Sequence, residues 1–324
     1  MIVSAYIPEW GFDGTLRAGD AERLTHVNFA FAVVENGLGS VSHWKNGAHI
    51  KAFNQKKGHI ISVLSVGGWG AGGFSNACLT PEGRENLAQS LVDIVNEYGF
   101  DGIDMDWEYP GMDMAGIDAS PADKDNYTEL IRLLREKQKL GAVVSMAAGA
   151  LQECIDNLDL PELLKTMDFI NLMTYDMSPW NKVGYHTALF PSDVEGMTGA
   201  AAADLFEKAG WPRNKLTLGA AFYSRNYKDV DGLVAAFAGP HPGWVHFHEL
   251  YPRGNALPTG IQYDEKAQTA FFYDAQNREF MSFDCPRSLR AKKKFARDTG
   301  LGGVMFWQYY GDTDDSILLK ALAE

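Results

Sequence analysis

The feature that constrains this chain most is the stretch Asp101-Gly102-Ile103-Asp104-Met105-Asp106-Trp107-Glu108-Tyr109-Pro110. In an extended strand, side chains alternate between two faces. Ile103, Met105 and Trp107 then share one face, and Asp104, Asp106 and Glu108 share the other. Burying unpaired carboxylates is costly, so an ordinary core strand does not carry this pattern. A solvated edge strand could carry it, but aspartate is a poor strand former. Stacked carboxylates repel, so the last proton among them is held more tightly. A proton kept near neutral pH is what a general acid needs. The stretch therefore predicts an acid/base hydrolase centre, with Glu108 outermost at the carboxyl end of the strand. Asp101 has the other parity and is assigned a structural role at the strand start.

The surrounding sequence repeats one unit. Thr80-Pro81 opens a helix, Leu87, Leu91, Ile94 and Tyr98 give it an apolar stripe, and Gly99 ends it directly before the acidic strand. Strand, helix, strand at this spacing predicts parallel βα units. Further strands are expected at Ile2 to Ile7, His26 to Phe31, His59 to Ser65, Ala142 to Ala147, Asp168 to Asp176, Leu216 to Arg225 (the strand together with its exit) and Gly302 to Tyr309. That makes eight strands. A (β/α)8 barrel takes about 250 residues, and the chain has 324. The expected fold is an α/β (β/α)8 TIM barrel over 1–324, with a short α+β-type insertion at 228–283 between the seventh strand and seventh helix. Phe271-Phe272-Tyr273 and Phe280 to Phe283 flank a turn within it, like a hairpin. Gly239-Pro240, Pro242-Gly243 and Pro252-Arg253-Gly254 are further turn signals. The basic run Arg290 to Lys294 reads as a solvated helix face.

Composition narrows the function. The net charge is −13, which argues against nucleic acid and anionic membranes as partners and suits a neutral or cationic polymer. No run of eighteen apolar residues offers a membrane span. Cys78, Cys154 and Cys285 form neither a disulfide framework nor a zinc spacing. The eight histidines show no paired ligand spacing, and no phosphate-binding glycine loop or Ser/His/Asp arrangement competes. No metal or cofactor is expected, and a monomer is. Met1 leads straight into a strand with no signal peptide visible. The expectation is a cytoplasmic protein if this is the native start, and a secreted one if a leader has been replaced.

The spacing Asp101-x-x-Asp104-x-Asp106-x-Glu108, followed by Tyr109-Pro110, resembles the signature of the family-18 glycoside hydrolases, the chitinase family. Other segments resemble the same family. These are Tyr6 with Glu9-Trp10, Ser65-x-Gly67-Gly68 followed by Trp69, Met173-x-Tyr175-Asp176, Tyr223-x-Arg225 and Trp307. Ser224 stands where the family usually has glycine. The insertion resembles a shortened form of the small domain that walls the family's cleft.

The resemblance implies hydrolysis of β-1,4-linked N-acetylglucosamine in chitin or chito-oligosaccharides. It also implies a substrate-assisted mechanism. In that mechanism Glu108 is acid and base, Asp106 orients the N-acetyl group, Asp104 shares its charge or proton, and Tyr175 bonds the acetyl oxygen. Tyr6, Phe31, Trp69, Tyr109, Met173, Asp176, Tyr223, Arg225 and Trp307 are implied to line the substrate, with Trp307 beneath the cleaved sugar. An endo-β-N-acetylglucosaminidase acting on N-glycans or bacterial wall glycan, and a chitin-binding lectin on the same fold, are the alternatives. Glu108 speaks against the lectin.

Overall fold

The computed structural model describes residues 1–239, 242–250 and 260–324. Eight parallel strands close into a barrel: β1 (Ile2–Pro8), β2 (His26–Glu35), β4 (Ile61–Gly67), β5 (Gly102–Asp106), β6 (Val143–Gly149), β7 (Phe169–Met173), β8 (Leu216–Ala221) and β13 (Gly303–Trp307). β1 pairs with both β2 and β13, which closes the ring. The short β3 (Leu38–Ser40) turns back antiparallel on β2. Parallel neighbours require long crossovers, and helices supply them. The helix Pro81–Tyr98 shows why they form where they do. The Thr80 side chain accepts from Gly83 N at 3.0 Å, proline occupies the first turn, and Gly99 closes the helix at φ 70°.

The two faces of β5 divide as its alternation demands. Ile103, Met105 and Trp107 lie in the main apolar core, where Trp107 stacks on Phe74 at 5.2 Å. Asp104, Asp106 and Glu108 are also buried, but on the barrel side. No helix among the described residues is long and apolar enough to cross a membrane. All three cysteines are buried and unpaired.

Between β8 and β13 lies a four-stranded antiparallel sheet of β9 (Ser224–Tyr227), β10 (Gln262–Asp264), β11 (Thr269–Asp274) and β12 (Glu279–Phe283), in the order β10-β11-β12-β9. The expected hairpin is β11–β12. Ser224 and Arg225 do not continue the barrel strand. β8 stops at Ala221, and Ser224 to Tyr227 pair with Phe283 to Phe280 of β12. The small sheet therefore begins just before residue 228. The expected turns at Gly239-Pro240 and Pro252-Arg253-Gly254 fall wholly or partly outside the described residues. A satellite core of Val183, Tyr185, Ala188, Tyr227, Val230, Ala267 and Phe280 fastens the loop after β7 to this sheet. The two segments thus form one wall.

The basic run is the main correction. In the helix Pro286–Asp298, Lys292 is buried with only 1% of its surface exposed. Its ammonium donates to Asp284 Oδ2 at 2.6 Å, to Gly219 O at 3.2 Å and to Thr187 Oγ1. Its position follows from helical period, since Leu289, Lys292 and Ala296 are buried on one face.

Candidate active site

Asp104 sits in the barrel interior and is surrounded by donors. Tyr6 OH (2.8 Å) and Ser65 Oγ (2.9 Å) donate to Oδ2, while Ser145 Oγ (2.7 Å) and Asn171 Nδ2 (3.1 Å) donate to Oδ1. Burial pushes the Asp104 carboxyl up, and these donors oppose it. Asn171 Nδ2 also donates to Tyr6 OH at 3.1 Å, which aims the Tyr6 proton at Asp104. Four donors on two oxygens match the acceptor capacity of an ionised carboxylate. Ser65 and Ser145 are the register partners of Asp104 on β4 and β6.

Asp106, one layer higher, is the opposite case. Its Oδ1 is buried without a hydrogen-bond partner among the described residues. Burial, then Glu108, then Asp104 push its carboxyl well above the ordinary range. Glu108 lies just past the strand and is raised to about 7. Burial is the main cause, Asp176 adds to it, and a hydrogen bond with Tyr109 opposes it. The three carboxylates thus run from a buried group held by four donors at the bottom to a retained proton at the cleft.

The backbone of the next loop is shaped around this ladder. Gly68 N donates to Asp106 O at 2.8 Å, and a Cβ on Gly67 (φ 119°) would stand 2.1 Å from that oxygen. Only glycine permits so close a pass. The loop leads to Trp69, which is 58% exposed.

β7 supplies the facing wall. It ends at Met173, three residues before the expected end, and Asp176 turns out of extended backbone at φ 57°. Arg225 Nε and Nη2 donate to the two Asp176 oxygens at 2.5 Å each, and Tyr223 OH donates to Oδ2 at 2.9 Å. Burial raises the Asp176 carboxyl, but bonds from His186 and Arg225 outweigh it and hold the group below its ordinary value. With Ser224 in place of glycine, Tyr223 and Arg225 still converge on Asp176. Tyr175 lies in the field of Asp106, Glu108 and Asp176, and burial first, then these charges, raise its hydroxyl well above 10.0.

Trp307, Phe31, Tyr6, Met173, Tyr109 and Tyr175 gather in one apolar cluster at the top of the barrel. Phe31 stacks on Trp307 at 5.3 Å and 17°. The structure therefore gathers the sequence-expected site residues at one end of the barrel, with Trp69 at its rim and Asp104 in the interior beneath them. Asp101 stays apart at the start of β5, where Lys57 and Ser62 N bond its side chain.

Sequence reading missed three groups. Ser145 and Asn171 hold Asp104 together with Ser65, which the sequence offered only as part of the Ser65-x-Gly67-Gly68 motif, and their signal was small polar residues inside otherwise apolar strands. His186 is fully buried, with Nδ1 3.4 Å from Asp176 Oδ1 and its ring 5.2 Å from that of Tyr223. The third group lies behind it. Thr187 Oγ1 donates to Thr174 O (3.3 Å) and Asp284 Oδ2 (3.0 Å), and Ala221 N also donates to that carboxylate (3.0 Å). The Lys292–Asp284 pair thus fastens the ends of β7 and β8 beneath the Tyr175–Asp176 wall.

Residues 2–312 match the family described as Glycosyl hydrolases family 18. The chain is 32% identical over 350 residues to chitinase A1 of Niallia circulans, covering 96% of this chain and 48% of that protein. It therefore spans about half the length of that relative. A solved family-18 N-acetylglucosaminidase from Paenibacillus barengoltzii superimposes with a TM-score of 0.91 at 35% identity, covering 99% of this chain and 98% of that one. The Ostrinia furnacalis Group IV chitinase, solved in complex with allosamidin, superimposes with a TM-score of 0.85 at 26% identity, covering 99% and 97%.

Proposed function

Because the chain belongs to the glycosyl hydrolases of family 18, we propose that it cleaves β-1,4-linked N-acetylglucosamine in chitin or chito-oligosaccharides. In this reading configuration is retained and the substrate's own acetamido group is the nucleophile. Most glycosidases place two carboxylates across the bond, and this family is an exception. Glu108 gives its proton to the glycosidic oxygen as the C1–O bond breaks. The acetamido oxygen bonds to C1 and an oxazolinium ion forms. Asp106 accepts the amide N–H, and Tyr175 OH donates to the acetyl oxygen. Glu108, now a carboxylate, takes a proton from the water that opens the ring.

The observation that carries this reading is the contrast within the ladder. Asp104 has four donors, whereas Asp106 makes no side-chain hydrogen bond among the described residues. Asp106 is thus an acceptor in want of a donor, beside an acid with a pKa of about 7. An amide N–H from the substrate meets that need.

A second reading keeps the chemistry but shortens the substrate to small N-acetylglucosamine-terminated chains. It is favoured by the likeness to the Paenibacillus barengoltzii N-acetylglucosaminidase over nearly the full length of both chains. Time-resolved product analysis on chito-oligosaccharides of two to six sugars, with an N-glycan control, tests both. Internal cuts in the longer oligomers support the first, and release of single sugars from one end supports the second. Cleavage of the N-glycan alone overturns both.

A further inference from the structure

Trp244, His246 and His248 form an aromatic row that neither the acidic ladder nor the Tyr223–Asp176–Arg225 cluster explains. Trp244 is 54% exposed. One exposed tryptophan is ordinary on a protein surface; the register of this one is not. Residues 243–246 run antiparallel to 223–226, with Tyr223 opposite His246 and Asn226 opposite Gly243. Ser224 N donates to Val245 O at 2.9 Å, and Asn226 N and Gly243 N each donate to the other's carbonyl at 2.8 Å. That register sets Trp244 directly opposite Arg225. Residues opposite one another in an antiparallel pair share a face. The shared face is the one on which Tyr223 OH and the Arg225 guanidinium reach Asp176. Val245 and Phe247, of the other parity, pack into the core.

The row is ordered on itself. The Trp244 ring stands edge-on to His246 at 5.1 Å, and His246 stacks on His248 at 5.4 Å and 21°. His246 N donates to Glu249 Oε1 at 2.9 Å, which fixes the turn into the helix Phe247–Leu250.

We propose that Trp244, with His246 beside it, is a sugar-binding subsite that continues the cleft past the Asp176–Arg225 pair. Its occupant is a further N-acetylglucosamine unit of the same substrate chain. This rests on the glycosidase reading above. Chemistry supports the assignment: an exposed indole with an imidazole beside it can stack on the C–H face of a pyranose, and the sheet pairing pre-orders it. Binding to a pre-ordered aromatic avoids much of the cost of fixing a mobile side chain. The subsite makes turnover depend on chain length, since only a chain long enough to reach Trp244 gains from it.

The test is the ratio of kcat/KM for the hexasaccharide to that for the disaccharide, in the whole protein and in Trp244→Ala. Covering one indole face removes about a third of the ~150–250 Å² an aromatic side chain can bury. At about 25 cal/mol per Å² the ratio should fall on the order of tenfold. The loss should lie in KM for the hexasaccharide, and Trp244→Phe should restore part of it. As a second readout, oligosaccharide quenching of tryptophan fluorescence in Glu108→Gln should shrink when Trp244→Phe is added. An unchanged ratio with unchanged quenching overturns the subsite. If the unaltered protein cleaves no chito-oligosaccharide, the failure belongs to the glycosidase reading instead.

Discussion

Replacing Lys292 with methionine should destabilise this protein far more than the same change at Lys294, two positions along the same helix. Lys294 pairs with Asp298 on the surface, with 70% and 41% of the two side chains exposed. Exposed pairs of this kind are worth about 0–1 kcal/mol. Lys292 is 1% exposed and Asp284 is fully buried. Removing the ammonium strands a buried carboxylate and also frees Gly219 O and Thr187 Oγ1. Breaking a buried pair from one side costs about 3–5 kcal/mol. The urea slope grows with chain size, and at about 3 kcal/mol per molar or more the midpoint should fall by roughly 1 M. Lys294→Met should move it by at most about a third of that. The double variant Lys292→Met/Asp284→Asn removes both charges and keeps an acceptor for Ala221 N. It should recover at least about 2 kcal/mol relative to the sum of the single changes. Urea unfolding followed by circular dichroism measures the unaltered protein, Lys292→Met, Lys294→Met, Asp284→Asn and the double variant. Strict additivity, or a Lys292→Met cost below about 1 kcal/mol, would refute a buried, coupled pair.

Glu108→Gln should lower kcat by at least the 10²–10⁴-fold typical of general acid/base groups while oligosaccharide binding persists; substantial residual turnover would move the acid elsewhere. The Glu108 carboxyl is raised to about 7, so the needed proton is present below that pH and lost above it, and kcat/KM should decline through about pH 7. Asp176 is one cause of the rise, so Asp176→Asn should move this alkaline limb to lower pH; a limb that stays fixed or moves up contradicts the assignment. Trp69→Ala should act chiefly on KM, because Trp69 stands exposed at the rim, and Trp307→Ala on kcat, because Trp307 packs over the barrel centre against Phe31 and Tyr6. Equal, purely KM effects from both would show that the two share one role.

The parts of this site that could be read in the sequence obey local rules. Period-two alternation within one strand put the three carboxylates on one face, and the adjoining helix had a cap, an apolar stripe and a terminating glycine. What stayed hidden depends on register between segments far apart in the chain. Ser65 and Ser145 meet Asp104 only because β4, β5 and β6 pair in one register. Asp176 and His186 meet because the chain reverses between them, with Met177 N donating to His186 O at 3.0 Å. Ser224 and Arg225 read as the exit of a barrel strand, yet their partners lie on β12, at the far end of the insertion. Lys292 is different, because helical period alone could have placed it beside Leu289 and Ala296. Its charge and its lysine neighbours masked that signal.

The central claim is that the nucleophile belongs to the substrate, and partly acetylated chitosan tests it most directly. Digest the polymer, sequence the sugars at the new reducing ends, and follow the anomer released first by proton NMR. If Asp106 only orients an acetamido group, every new reducing end carries an N-acetyl group and the first product is the β-anomer. Fully deacetylated chains then resist cleavage, even though the net charge of −13 attracts them. Glucosamine at the new reducing ends in proportion to its abundance, or the α-anomer as first product, would contradict the account.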